Sequence, residues 1–385
     1  MTKKASKKTT KKVEKKVSLF DAVKAKMKKN KPKSMSNKSD SLIPWKIPFK
    51  HKALQKATGG LLGGKIMMIE GFSQTGKSFL GYELISGAVS MGGTGYLQDR
   101  EQAYEPDYGA KAGMDDDDMF FYDDSVLIEP TFDTWVEWMK ATREVVKDKS
   151  IPLVIMDDSF AVSRCLEQGE SDEKGKALGY GSMKKNNAYY DRLAMLQPLL
   201  QEYSCSLVII NQLTKDHAAG MFADPTKRKG PQLEYFCSQI LRGKAGQKLV
   251  VKRKLNSTER KVQVGMTSNW ETAKNRFVEP MKKFGVKIYF RKGLAPWSGL
   301  GDFLVLEDEV KQKSMKDPED GRKTIKGYTY EGPEGEEFFP ESQIKDMCNK
   351  YPQILEPRYT SKLEDDFDNE VELEDYESEK VKIND

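Results

Sequence analysis

The stretch EGFSQTGKSFLGYEL, residues 70 to 84, constrains the fold more than any other part of the chain. GKIMMIE before it reads as a short buried strand, and SFLGYELISGAV after it as a helix. Strand, glycine loop and helix in that order is the setting in which G-x-x-x-x-G-K-[ST] becomes a phosphate site. The pattern runs through Gly71, Phe72, Ser73, Gln74, Thr75 and Gly76 to Lys77, Ser78 and Phe79. Glycine lets the backbone curl so that successive amides face one anion, and the helix N-terminus adds its positive dipole end. Such a cradle suits a polyphosphate, with Lys77 reaching its outer phosphates and the Ser78 hydroxyl on magnesium. The bland alternative is a glycine-rich turn.

A length of 385 residues points to two or three domains and ample material for a core. Charged residues make up 32% against 38% hydrophobic ones, so part of the chain is expected to be unstructured tail. No apolar run approaches the roughly 18 residues of a membrane span, and the Lys-rich start lacks a secretory hydrophobic segment. The expectation is a soluble, cytoplasmic protein of a bacterial or phage-infected cell, with no membrane partner. Cys165, Cys205, Cys237 and Cys348 form no C-x-x-C pair, which suggests neither a zinc site nor a disulfide framework. His51 and His217 are too few for histidine-based metal or triad chemistry.

The net charge of +5 hides a polarity along the chain. Lysines crowd the first sixteen residues, and LEDDFDNEVELEDYESEK near the end is as strongly acidic. Like-charge blocks repel themselves and stay solvated. A basic arm suits nucleic acid, and an acidic tail could compete for the same basic surface. Residues 1–17 are therefore read as a basic tail and 359–385 as an acidic one. Between them, SLFDAVKAKMKK spaces Leu19, Phe20, Val23 and Met27 helically behind a Ser18 cap. A helix so short wants a surface to lie on; with the following linker it occupies 18–54. From 55 to 310, GTGYLQ, PLVIM, CSLVII, KLVVKRK, KVQVGM and VKIYF read as strands. The early ones alternate with helices and the later ones follow one another. That order predicts an α/β fold, a mostly parallel sheet with helices on both faces and an antiparallel edge extension. A smaller α+β domain follows at 311–358.

Ligands of open α/β sheets gather at the carboxyl ends of strands. After GYLQ come Asp99, Arg100 and Glu101; after PLVIM come Asp157, Asp158 and Ser159; after CSLVII come Asn211 and Gln212. An acid after an apolar strand downstream of a phosphate loop is what magnesium coordination needs. A second acid could polarise an attacking water, and Gln212 could sense the terminal phosphate. Together they favour an ATPase.

These residues resemble the RecA recombinases, including the phage-encoded UvsX-like branch. The similarity covers about 55 to 310 and implies a RecA-like P-loop ATPase core. DREQAYEPDYGAKAG looks like the segment with the catalytic glutamate and adenine contacts. By position this makes Glu101 the water-polarising base, Tyr108 the ring stacking on adenine and Glu105 its polar neighbour. VIMDDS corresponds to the Walker B strand, with Asp158 in the acid's place and Asp157 where the family usually has an apolar residue. NQLTKDHAAGMFADPTKRKGPQLEYFCS is similar to the sensor glutamine followed by the second DNA-binding loop. Gln212 takes the sensor role, and Gly220, Met221, Phe222, Lys227, Arg228, Lys229 and Gly230 become DNA-facing. Glu234 departs from the lysine many relatives carry there. The first DNA loop matches only in position, offering Lys174, Lys176, Lys184 and Lys185. KNRFVEPMKKFGVKIYF resembles a signature whose two basic residues, here Lys274 and Arg276, cap ATP bound to the adjacent protomer.

The resemblance implies a DNA-dependent ATPase using ATP and magnesium (Mg2+). It would assemble as a homo-oligomeric helical filament on single-stranded DNA and exchange strands with homologous duplex DNA in recombination and repair. Single-strand-binding or loader proteins are further implied partners. Two alternatives stay open here: a RecA-fold hexameric helicase, and a non-catalytic recombinase paralogue or loader. The former typically has a sizeable helical domain in front of the core; the latter needs no complete set of Lys77, Glu101, Asp158 and Gln212.

Overall fold

The computed structural model describes residues 43–114, 120–166, 178–215, 226–228, 233–255, 258–317 and 320–359. The basic start, the helix expected around Leu19 to Met27 and the acidic tail after 359 lie outside them. A small antiparallel pair, β1 (Lys46–Ile47) and β2 (Leu61–Leu62), brackets α1 (Lys52–Thr58). Then follow β3 (Ile66–Gly71), α2 (Lys77–Ser90), β4 (Thr94–Asp99), α3 (Pro106–Ala112), β5 (Phe120–Asp123), α4 (Ile128–Val145), β6 (Leu153–Asp158), α5 (Leu178–Glu202) and β7 (Cys205–Lys215). Next come β8 (Thr226–Arg228), α6 (Leu233–Phe236), β9 (Gln239–Leu255), β10 (Thr258–Asn275), β11 (Lys283–Tyr289), β12 (Gly293–Leu294) and α7 (Leu300–Leu306). The described chain ends with β13 (Lys311–Lys316), β14 (Thr324–Gly332), β15 (Gly335–Pro340) and α8 (Ile344–Lys350).

The main sheet has the order β12-β11-β10-β9-β3-β7-β6-β4-β5, with β8 paired to β7. From β9 to β5 neighbours run parallel, and from β9 to β12 they run antiparallel. This is the fold class the sequence predicts. Its cause is visible in the central strands, where Met67, Met68 and Ile69 in β3 and Leu153 to Met156 in β6 are buried without alternation. Strands covered on both faces need continuous apolar runs.

Two apolar layers result. On one face α2 sends Phe79, Leu80, Leu84 and Ile85 against Leu97, Met156 and Ile210. The approach is close: a Cβ on Gly81 would stand 2.5 Å from Met156 Sδ. On the other face α4 buries Ile128, Phe132, Trp135 and Met139, a helical stripe, together with Tyr189, Leu193, Leu196 and Leu200 of α5. The four cysteines are buried, and no disulfide joins them. Among the described residues no helix is long and apolar enough to cross a membrane.

Two features extend the core. β9 and β10 continue past their neighbours as a two-stranded ribbon, pairing Val250 with Gln263 through to Leu255 with Thr258. Segment 311–358 holds the antiparallel sheet β13-β14-β15 and α8. Tyr328 and Met347 share an apolar cluster with Leu300 and Phe303 of α7. A Cβ on Gly301 would meet the Tyr328 ring at 2.1 Å, so the small sheet sits tightly on that helix.

Candidate nucleotide site

Because β3, β7, β6 and β4 run parallel, their carboxyl ends share one edge. Gly71 pairs with Gln212, Asp158 with Ile210, and Asp99 with Asp158. The phosphate-type loop, both acids and the glutamine are therefore brought together by strand register alone.

The loop needs its glycines. Gly76 has φ of 88°, and a Cβ there would also lie 2.3 Å from Ile288 Cδ1. A Cβ on Gly71 would lie 2.5 Å from the Gly243 carbonyl oxygen of β9. Thr75 Oγ1 donates to the Phe72 carbonyl at 3.0 Å, which fixes the curl from inside. Lys77 is 8% exposed and its ammonium donates to the same carbonyl at 2.8 Å. Burial lowers its pKa, while Asp158 and Glu101 oppose that shift. Ser78 and Phe79 open α2, with Ser78 half-buried and Ser73 and Gln74 exposed.

The two adjacent aspartates separate by strand alternation. Asp158 faces α2 and hydrogen-bonds with Ser78. Burial pushes its carboxyl up to about 7; the Ser78 bond opposes this, and Glu101, Asp99 and Asp157 add to it. Asp157 faces the opposite layer, where Arg100 Nε donates to it at 2.6 Å and the Tyr189 hydroxyl donates to its other oxygen. Asp158 is thus the acid that meets the phosphate-type loop. A buried carboxylate beside a hydroxyl, with another carboxylate near, is short of positive charge, and a divalent cation with substrate phosphates fits that donor set.

Glu101 is exposed and accepts a hydrogen bond from Gln212 Nε2 at 3.1 Å. The turn that carries it is held by Asp99, whose carboxylate accepts from the Ala103 and Tyr104 amides at 3.2 and 2.8 Å and from the Tyr122 hydroxyl at 3.1 Å. From sequence Asp99 is one more strand-end acid; its bonds to amides four and five residues on depend on the path of the turn, which no local residue pattern signals. Tyr108, in α3, packs edge-on against Phe79 at 5.4 Å, which puts its ring beside the start of α2. Burial raises its pKa. Glu105 is exposed at the α3 N-cap, and its carbonyl accepts from the Tyr108 amide at 2.9 Å.

Lys274 and Arg276 stand apart from this group. Lys274 pairs with Ile240, and the Arg276 amide donates to Ser238, whose own amide donates to Ile66 at the start of β3. Lys274 is therefore level with Met68 and Arg276 with Ile66, about 10 and 17 Å of strand from the loop at the carboxyl end of β3. Lys274 Nζ donates to the Glu234 carbonyl at 2.6 Å, and burial followed by Arg276 lowers its pKa.

The expected DNA-facing residues are only partly described. Gly220, Met221, Phe222, Lys229 and Gly230 lie outside the described residues, as do Lys174 and Lys176. Lys227 and Arg228 fall in β8, paired with Thr214 and Leu213. Gln212 thus runs without a break into the hairpin that frames the loop. In α5, Lys184 and Lys185 are half-buried; the Lys185 ammonium donates to the Ala161 carbonyl at 3.1 Å and stands 4.9 Å from the Phe160 ring centre.

A parallel sheet with a glycine-rich loop, lysine and hydroxyl opening the next helix, and an acid on a neighbouring strand defines the P-loop class. Within that class, residues 36–295 match the family profile described as the RecA N-terminal domain, so the chain belongs to the RecA family. It is 26% identical over 259 residues to Protein RecA of Clostridium tetani, covering 66% of this chain and 67% of that one. Protein RecA of Leifsonia xyli is 27% identical over 276 residues, 71% and 68% of the two chains. That of Nocardia farcinica is 26% identical over 290 residues, 74% of each.

Proposed function

We propose that this chain is a DNA-dependent ATPase that polymerises on single-stranded DNA and pairs it with homologous duplex. The observation that carries the reading is the hydrogen bond between Gln212 and Glu101 at the root of the β7–β8 hairpin. One residue of the nucleotide site is thereby continuous with the segment expected to face DNA. Family membership supports the same reading.

In this account ATP lies along the loop of one copy, with its phosphates over Lys77 and the α2 N-terminus. Water attacks the γ-phosphorus, the bond to the β–γ bridging oxygen breaks, and Glu101 takes the proton from water. Magnesium, held by Ser78 and Asp158, would neutralise the phosphate oxygens. Tyr108 covers the base and Glu105 supplies a polar contact. Lys274 and Arg276 come from the next copy, because they are set back from their own loop by about 10 and 17 Å of strand. Cationic groups at the γ-phosphate stabilise charge that grows during transfer, so hydrolysis requires assembly.

Gln212 then ties phosphate occupancy to the hairpin, an order–disorder switch in which ATP arranges the DNA-facing loop and its loss loosens it. Met221 and Phe222, flanked by Lys227, Arg228 and Lys229, would supply an apolar wedge beside cations. Affinity for the strand should fall steeply with salt. Exchange of identical strands is nearly balanced in free energy, whereas each mismatch forfeits on the order of 1 to 2 kcal/mol. Fidelity can therefore come from the DNA.

The test is joint-molecule formation between a single strand and a supercoiled duplex with ATP and magnesium. Homologous duplex should yield joints and heterologous duplex none. Unwinding of a forked duplex without joint formation would replace this reading with a helicase, and absence of both activities alongside DNA binding would favour a loader.

A further inference from the structure

Arg100 and Asp157 form an ion pair whose side chains are both fully buried. They stand at the carboxyl ends of neighbouring strands, β4 and β6, and Arg100 directly precedes Glu101. Further bonds hold it, with one donor left over: Arg100 Nη2 is buried without a hydrogen-bond partner among the described residues. Arg100 Nη1 donates to the Ser125 carbonyl at 3.1 Å, and its backbone amide donates to the Asp158 carbonyl at 2.7 Å. The second oxygen of Asp157 is taken by the Tyr189 hydroxyl of α5. Tyr189 is itself wedged edge-on between Phe160 at 4.5 Å and Phe132 at 5.2 Å.

Stability does not explain such a pair, since replacing a buried ion pair by apolar side chains of similar volume is often neutral or stabilising. Its position suggests another use. Glu101 is exposed and sits on a turn, where a carboxylate would otherwise wander, and a misplacement of about 1 Å can cost about a hundredfold in rate. Asp99 holds the far side of that turn through Ala103 and Tyr104. Arg100 anchors the near side, into the opposite layer of the sheet.

We propose that Asp157 and Tyr189 are positioning residues for Glu101, acting through Arg100. The inference rests on the reading above that Glu101 activates water for ATP hydrolysis. Asp157 touches neither nucleotide nor metal in this scheme; it fixes the backbone from which Glu101 projects.

The decisive variant is Arg100→Met with Asp157→Val, which removes both charges together. Steady-state ATP hydrolysis on single-stranded DNA, titration with a fluorescent ATP analogue and thermal melting are measured in parallel. Melting should stay within a few degrees of the unsubstituted protein and analogue affinity within about threefold, while kcat falls about tenfold or more. Tyr189→Phe keeps the ring packing and deletes one hydroxyl, so it serves if the double variant does not fold. It should lower kcat with KM unchanged. Unchanged kcat in a folded variant, or a rate loss that merely tracks lost thermal stability, would overturn the positioning role. If the unsubstituted protein hydrolyses no ATP on single-stranded DNA, the functional reading falls first and the inference with it.

Discussion

Alanine at both Lys274 and Arg276 is expected to reduce DNA-dependent ATP hydrolysis by about a thousandfold or more, the scale on which a cationic finger acts in phosphoryl transfer. The reason is where register puts them. Lys274 is level with Met68 and Arg276 with Ile66, while the loop begins after Gly71, so the pair is set back along the sheet from the nucleotide site of its own chain. It can serve a neighbour's in a head-to-tail assembly, in which one surface meets a different one. Mixing makes the prediction specific. A Lys77→Ala chain retains an intact basic pair, and the double variant retains an intact loop. Each alone should be silent. Mixed equally and assembled at random, about one seam in four joins an intact loop to an intact pair. Hydrolysis should therefore return to about a quarter of the unsubstituted rate. No recovery at any ratio would show that the two groups do not share a site.

Glu101→Gln is the second large effect. Glutamine keeps the size and can still hydrogen-bond to Gln212, but it cannot accept a proton. Turnover should fall by about 10²- to 10⁴-fold, with nucleotide affinity retained because Lys77, Ser78 and the loop are untouched. The DNA complex formed with ATP should then be long-lived, since in the proposed scheme hydrolysis is what loosens the grip on DNA. Dissociation from labelled single-stranded DNA measures this directly. A variant that loses turnover yet releases DNA at the unsubstituted rate would break the proposed link between hydrolysis and release.

Much of the frame was legible because local chemistry dictates it. Gly71, Gly76, Lys77 and Ser78 permit few structures at a strand-to-helix junction, and parallel strands buried on both faces leave uninterrupted apolar runs such as PLVIM and CSLVII. The ribbon was harder. KLVVKRK and KVQVGM read as two strands, but their joining into partners of 17 and 18 residues depends on polar, exposed positions that leave no apolar period. The adjacent aspartates show the same limit at the site. Their opposite facing follows from alternation, yet the partner of Asp157 is Arg100, on another strand and 57 positions away. Only the topology that sets β4 beside β6 makes that pair. Likewise the resemblance assigns Lys274 and Arg276 to an adjacent protomer's ATP, but which end of the sheet they occupy depends on the pairing of β10 with β9 and of β9 with β3.

The central claim is that ATP is consumed at a seam between copies and that a bound strand promotes the seam. The most direct measurement is the ATP hydrolysis rate per chain as protein concentration rises, with and without single-stranded DNA. The account predicts a rate that climbs cooperatively with concentration on DNA and stays low at dilution without it. A rate per chain that is independent of both concentration and DNA would contradict it.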